Sequence, residues 1–487
     1  MIRWPLDKIR RAVDGRWAIK PAAPDRPIAG LSTDTRTLAS GQLFVALRGE
    51  FFDGHAFISQ AGAHGAPAVL IDSPDALVEP ARLALQHHGC GVITVASTDD
   101  ALLELGAAYR RTLTRTRVVA VTGSAGKTTA VRFIDAALGL SLHGSASIKS
   151  FNNAIGVPLT ILAADEQSDY LVCEIGMNAP GEIAELAAIT APDIAVITSI
   201  GRAHIGELGS IEAIAREKAS LLPDLTPGGL AVVPVGGEMG GEYLEPYLGP
   251  VPQLVRFGAA ETADIRIQRA HHTDRGTLAV EFAGGPNVEL PLIGRHNAAN
   301  AAAAVAVARA FNLDPSVIAR GLARTHAPEM RFEPETIAGA TIYNDAYNAS
   351  PESVRAAIDT FAEVGAPAQR RVIVLGDMLE LGVHAEPTHR EIAAAIAKTN
   401  PPDVVIAIGL MAPAVVDELL ERGYTGESAI YSELTPEIAT RLAARLEPGD
   451  AVLVKGSRRL GLERLVTAAR TRAGVATQPS TRVEAAG

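Results

Sequence analysis

The chain has 487 residues, 47 % of them hydrophobic but only 4 % aromatic, which is too long for a single core and points to cores of Ala, Val, Leu and Ile. At roughly 150 residues per domain, about three domains are expected. The formal net charge of −11 excludes a general nucleic-acid binder, so any phosphate recognition must rest on a few placed cations and helix N-termini.

The N-terminal stretch MIRWPLDKIRRAVDG carries charge every few residues and no apolar core of a secretory leader. Cys90 and Cys173 stand far apart in no metal-binding spacing, which fits a reducing compartment and a cytoplasmic location. In residues 1–103, LFVALRG and PAVLID read as strands and DGHAFISQAGAHGA as a loop and helix. The expectation is a small mixed α/β domain.

From 104 to 327 the pattern alternates. VVAVTG, YLVCEIG and IAVITSIG are near-continuous apolar runs, as buried parallel strands require. GEIAELAAIT and SIEAIAREKASLL read as the helices between them, giving a doubly wound parallel sheet. GRHNAANAAAAVAVARAF is a helix interrupted by Asn300 and Arg309, so no membrane insertion is expected. After the Pro-marked junction THAPEMRFEP a second rhythm fills 328–474. RRVIVLGDM, DVVIAIG and AVLVKGS are its strands, with PTHREIAAAIAKT and PAVVDELLERG as helices, and this domain reads as Rossmann-like α/β. The polar residues 475–487 read as a flexible tail.

The chemistry concentrates in TGSAGKTT, Thr122 to Thr129. Gly123 and Gly126 let the backbone N–H groups around Ser124 and Ala125 turn onto oxyanions, and the helix that follows adds its positive end. Lys127 can reach the β- and γ-phosphates of ATP. Thr128 puts a hydroxyl where Mg²⁺ would sit, beside Thr129. Two residues separate these glycines, where the commoner phosphate loop has four.

Ligands of open α/β sheets sit beyond the C-terminal strand ends, and Glu174 and His204 fall there. They could converge with Thr128 on a metal. Read alone, Glu174 is equally a strand-end charge, and His204 a surface histidine. Asn152 and Asn153 are either a turn or amides facing phosphates. Lys218 reads as a solvated helix lysine.

TGSAGKTT, NNAIGVPLT, EIGMNAPGEI, ITSIGRAHIGELGS, GRHNAANAAAA, NDAYNASPESVRAAI, LGDMLELG and VLVKGSR occur in this order. With STDTRTLASGQLFVALRGEFFDGHAFI before them, they resemble the Mur ligases over the whole chain, whose phosphate loop is the short one. NDAYNASPES and GDMLELG point within that family to the enzyme that adds D-alanyl-D-alanine to UDP-N-acetylmuramoyl-tripeptide, and the D-N-P-R run of a sibling is absent. The resemblance implies three domains that bind the UDP-sugar, ATP and the amine substrate in turn. It implies a monomer with ATP and Mg²⁺ as cofactors. It assigns Gly123 to Thr129 and Asn153 to the phosphates, Lys127, His204 and Lys218 to catalysis, and Asn297, Arg331 and Asp345 to adenine, phosphates and ribose. Thr128, Glu174, His204 and Lys218, the last as a carbamate, would hold metal. Thr33, Thr35, Arg36 and the EFFDGH loop would meet the UDP-substrate. Asn344, Tyr347, Asn348 and Ser353 would border the dipeptide. Ser199 stands where relatives often carry Asn, and Arg202 has no assigned part. A sibling Mur ligase or a folylpolyglutamate-type ligase would share the chemistry with another substrate. A nucleotide switch without ligation would keep only the loop.

Overall fold

The computed structural model describes residues 1–49, 52–148, 150–398 and 400–475. Three sheets, of five, nine and six strands, follow one another along the chain. Glu50 and Phe51 of the EFFDGH loop, and 476–487 of the expected tail, lie outside the described residues.

The first sheet orders Arg16–Ile19, Gly91–Thr94, Ala68–Ile71, Leu43–Val45 and Leu31–Ser32, with the first strand antiparallel and the rest parallel. It is tied to the next body by the extreme N-terminus. The Met1 ammonium donates to the Ala164 carbonyl at 2.6 Å, and Trp4 meets the edge of Tyr109. The boundary expected at 104 falls inside a helix, Thr98–Arg110, whose packing partners are the helices Gly156–Ala163 and Glu182–Thr190 of the central body. Ser97 caps this helix by accepting from Asp100 N–H. A boundary at 104 would therefore cut this helix, whose buried Ala101, Leu102 and Leu105 share one core with Leu43, Leu70 and Ile93 of the first sheet and with the central body.

In the central sheet, Arg117–Thr122 lies between Tyr170–Glu174 and Ile194–Ile197, parallel to both. Along it the side chains alternate between two cores. Val118 and Ala120 join Leu105, Ile161, Ile183 and Ile214 on one face, while Val119 and Val121 join Phe133, Ile134 and the Ala-rich helix Asn297–Ala310 on the other. That helix is buried nearly all round, which is why its sequence could be almost pure alanine and valine. The expectation of a parallel sheet holds through Leu230–Pro234, Gln253–Gly258 and the start of Ile265–His272. It fails beyond, where Leu278–Phe282 and Asn287–Leu290 add as antiparallel strands. Their burial alternates residue by residue, and the connections carry Gly276 and Gly284 at positive φ, the signature of short hairpins.

The third sheet pairs Glu333–Ile337 antiparallel with Ala340–Asp345. It continues in parallel through Asp450–Lys455, Arg370–Gly376, Val404–Ile408 and Glu427–Tyr431. Helices Pro351–Val364 and Ala385–Lys398 cover one face, and Pro436–Ala444 and Glu463–Arg472 the other. The chain enters this domain through the loop between helix Pro315–Leu322 and Glu333. No helix among the described residues is long and apolar enough to cross a membrane.

Candidate active site

The strand Arg117–Thr122 sits where the central sheet reverses its order, and the loop that follows it opens into the crevice expected of such folds. Gly123 has φ +147° and Gly126 φ +83°, both in the region that favours glycine. Neither has room for a side chain. A Cβ on Gly123 would lie 1.9 Å from Thr198 Oγ1, and one on Gly126 would lie 2.4 Å from Asn300 Oδ1. The loop is braced from the neighbouring strand end. Ser124 N–H donates to the Ser199 carbonyl at 2.9 Å and Ala125 N–H to Ser199 Oγ at 3.0 Å, while Thr198 Oγ1 donates to the Ala125 carbonyl. A serine at 199 therefore serves the loop directly. Thr198 and Ser199 thus hold the two residues between the glycines from outside the loop.

Helix Lys127–Leu138 starts at Gly126 with no side-chain cap, which leaves its first N–H groups open to an anion. Lys127 folds back so that Nζ donates to the Gly123 carbonyl at 2.8 Å. Burial holds its ammonium below the ordinary lysine value. A lysine held against its own loop, short of partners and partly desolvated, is poised for an anion.

Thr128 Oγ1 donates to Glu174 Oε2 at 2.8 Å and accepts from Arg331 Nη2 at 3.0 Å. Glu174 is 1 % exposed, and its second oxygen accepts from Asn152 Nδ2 at 2.8 Å. A buried carboxylate held by a hydroxyl and an amide, with no cation bonded to it among the described residues, calls for positive charge. Among the described residues no group of three or more His, Cys, Asp or Glu is placed to hold a metal. A cation such as Mg²⁺ takes one or two protein oxygens and completes its shell with phosphates and water. Thr128 and Glu174 fit that demand. Of the two neighbouring amides, Asn152 is the one on Glu174. Asn153 Oδ1 accepts from the N–H groups of Ile155 and Gly156, at the start of helix Gly156–Ala163.

His204 lies at φ +64°, at the head of a short helix, and its Nδ1 is 2.8 Å from Glu380 Oε2. The contact with His204 holds the Glu380 carboxyl below its usual range. Lys218 corrects the solvated-helix reading. It is 1 % exposed on helix Ile211–Ala219, and no hydrogen bond to its ammonium is found among the described residues. Burial, with repulsion from Lys127, pushes it well below the ordinary lysine value.

Asn297 is buried at the start of the Ala-rich helix, donating to the Ile293 carbonyl at 2.9 Å and accepting from Asn300 Nδ2 at 3.3 Å. Arg331 stacks over Tyr347 at 4.5 Å while touching Thr128, so it joins the C-terminal domain to the loop. Asp345 accepts from Phe332 N–H at 3.2 Å and pairs with Lys455 at 2.9 Å. Lys455 also donates to the Asn348 carbonyl at 2.8 Å. Asn344 accepts from Ala346 N–H, Asn348 from Ala349 N–H, and Ser353 closes a capping box with Ser350 at the head of helix Pro351–Val364. In the N-terminal domain Thr33 is half-buried, Thr35 Oγ1 donates to Gln60 at 3.2 Å, and Arg36 forms a bidentate pair with Asp34. These three lie together on one turn.

Sequence reasoning missed Asn300, Glu380 and Lys455. Lys455 did leave a signal, as a charge ending the apolar run AVLV. Asn300 left one too, as an amide breaking an alanine run.

Models of the Mur ligase family match most of the chain. The catalytic domain of the family covers 27–124, the Mur ligase middle domain 121–308, and the glutamate ligase domain 330–458. The UDP-N-acetylmuramoyl-tripeptide–D-alanyl-D-alanine ligase of Bacillus subtilis is 35 % identical, covering 96 % of this chain and 98 % of that protein. The ligase of the same name from Escherichia coli is 33 % identical over 91 % of this chain and 94 % of its own. Among solved structures, MurF from Acinetobacter baumannii superposes with a TM-score of 0.82 at 30 % identity, covering 96 % of this chain and 98 % of that one. MurF from Thermotoga maritima in complex with ADP gives 0.73 at 25 % identity, covering 91 % and 98 %.

Proposed function

The chain belongs to the Mur ligase family, and on that footing we propose that it joins D-alanyl-D-alanine to UDP-N-acetylmuramoyl-tripeptide at the expense of ATP, making a peptidoglycan precursor. The observation that carries this reading is the near-full-length likeness to ligases of that name, which takes in the amine-substrate domain as well as the loop.

The reaction is carboxylate activation followed by amide formation. The terminal carboxylate of the tripeptide attacks the γ-phosphorus of ATP, the bond to the β-phosphate oxygen breaks, and an acyl phosphate and ADP result. The amine of D-alanyl-D-alanine then adds to the acyl carbon, loses a proton, and phosphate leaves as the amide forms. Lys127 would swing from the Gly123 carbonyl to the β- and γ-phosphates, where its charge offsets what builds on the transferring group. The N–H groups at the helix start would orient the same oxygens, those of Ser124 and Ala125 being already bonded to Ser199. Arg331, already on Thr128, would add a second cation from the opposite domain. Asn297 would read adenine and Asp345 the ribose.

Mg²⁺ held by Thr128 and Glu174, with His204 and Lys218 toward a second ion, would neutralise phosphate charge and hold the γ-phosphate in line. The neutral amine that burial favours at Lys218 is the form that adds CO₂, releasing one proton and leaving a carbamate anion. That modification would turn a buried amine into an oxygen ligand. Thr33, Thr35 and Arg36 would meet the UDP moiety, and Asn344, Tyr347, Asn348 and Ser353 the dipeptide.

The test is phosphate release from Mg-ATP with UDP-N-acetylmuramoyl-tripeptide, with and without D-alanyl-D-alanine, followed by mass analysis. Release dependent on both, with a UDP-pentapeptide product, is expected. Release only with another amine or a shorter UDP-peptide would move the protein to a sibling ligase.

A further inference from the structure

Arg202 takes no part in the chemistry above, yet it bonds two residues of the C-terminal domain. Its backbone N–H donates to Glu352 Oε1 at 2.9 Å, its Nε lies 3.4 Å from the same oxygen, and its Nη1 donates to Glu391 Oε2 at 2.7 Å. Glu352 sits in the first turn of helix Pro351–Val364 and Glu391 in helix Ala385–Lys398. One arginine of the central domain thus holds two helices of the other.

The residue before it faces the phosphate loop. Gly201 N–H donates to Ser124 Oγ at 2.9 Å, and Ser124 Oγ lies 3.1 Å from the Gly201 carbonyl. Glu352 packs so close that a Cβ on Gly201 would lie 2.6 Å from its carboxyl carbon. The second oxygen of Glu352 is buried with no hydrogen-bond partner among the described residues, so the carboxylate depends on Arg202 for its charge balance. The far end of the same helix is fastened too. Glu363 accepts from Arg295 Nη2 at 2.9 Å and faces His272 Nδ1 at 3.1 Å. The helix, about 20 Å long at 1.5 Å per residue, is therefore held to the central domain at both ends. Its head carries the Ser350–Ser353 cap beside Asn348.

We propose that Arg202 is a positioning residue that couples the phosphate loop to the amine-substrate domain, by holding Glu352 and with it the head of helix Pro351–Val364. A shift of Ser124 on nucleotide binding reaches Glu352 through Gly201 and Arg202. The inference rests on the proposed function for what the C-terminal domain binds, but the coupling itself is a matter of domain closure.

The test compares full-length wild type with Arg202→Ala, Glu352→Gln and the double variant. Small-angle X-ray scattering on the ligand-free protein should show a larger radius of gyration in each variant. In steady-state assays KM for D-alanyl-D-alanine should rise about three- to tenfold, with kcat and KM for ATP within about twofold, as expected for lost ion pairs that position and do not react. The double variant should be no worse than the poorer single one. Unchanged dimensions and kinetics, additive effects, or a rise in KM for ATP alone would each overturn the coupling. If wild type ligates no D-alanyl-D-alanine, the proposed function falls, while the scattering comparison still decides the part of Arg202.

Discussion

Replacing Gly126 with Ala should damage the protein in two separable ways. The residue has φ +83° and ψ −7°, and an alanine there costs about 1–2 kcal/mol in backbone strain alone. Its Cβ would also lie 2.4 Å from Asn300 Oδ1, 3.2 Å from Cγ and 3.3 Å from Nδ2. Asn300 is buried on a helix and bonded to Asn297, so it cannot swing away freely. Displacing it adds about 0.5–1.5 kcal/mol for the disturbed hydrogen bond. The sum, about 1.5–3.5 kcal/mol, corresponds to a drop of roughly 3–14 °C in the unfolding midpoint for a body of this size. The assay is thermal unfolding, with titration of a non-hydrolysable ATP analogue alongside. Adding Asn300→Ala should return the contact part of the loss and leave the backbone part, so the double variant should be better than the sum of the singles. A Gly126→Ala protein that melts with wild type, or strict additivity with Asn300→Ala, would refute the packing argument.

Lys127→Ala should abolish phosphate release yet keep a native melting profile, since the side chain bonds only its own loop; wild-type turnover would remove the loop from the mechanism. Lys218 has its pKa lowered by burial, so the folded state binds fewer protons than the unfolded one between the lowered value and about 10.4. Its cost to stability is largest at low pH and fades as pH rises toward the ordinary lysine range. In CO₂-free buffer, Lys218→Met should therefore be more stable than wild type at neutral pH, by a margin that shrinks on raising the pH; denaturant unfolding at two pH values reads this, and a constant margin would contradict it. Asp345→Asn leaves Lys455, only 2 % exposed, without its carboxylate, and should cost about 3–5 kcal/mol in urea unfolding; a change under about 1 kcal/mol would mean that the pair is solvated.

The central and C-terminal domains were legible because buried parallel strands are written as continuous apolar runs, and VVAVTG, YLVCEIG and RRVIVLG cannot be much else. The stretch 223–293 was not read, and it holds the hairpin strands Leu278–Phe282 and Asn287–Leu290. These strands are short and half-polar, with no run to announce them. The same holds for Arg16–Ile19 at the edge of the first sheet. At the site, Thr128 and Glu174 could be placed at neighbouring strand ends from spacing, and they are in contact. Lys218 could not. Its helix reads as amphipathic, and only the packing of that helix beside the loop puts the ammonium inside. Glu380 and Glu352 were beyond reach for a similar reason, since their partners His204 and Arg202 lie in another domain. Interdomain pairs leave no local period to follow.

The central claim is that ATP is spent on a carboxylate, and its oxygen can be followed. UDP-N-acetylmuramoyl-tripeptide labelled with ¹⁸O in its terminal carboxylate, turned over with Mg-ATP and D-alanyl-D-alanine, should pass one labelled oxygen to inorganic phosphate and keep the other in the new amide carbonyl. Phosphate free of label would mean that water, and not the tripeptide, attacks the γ-phosphate, and the acyl-phosphate ligase account would be wrong.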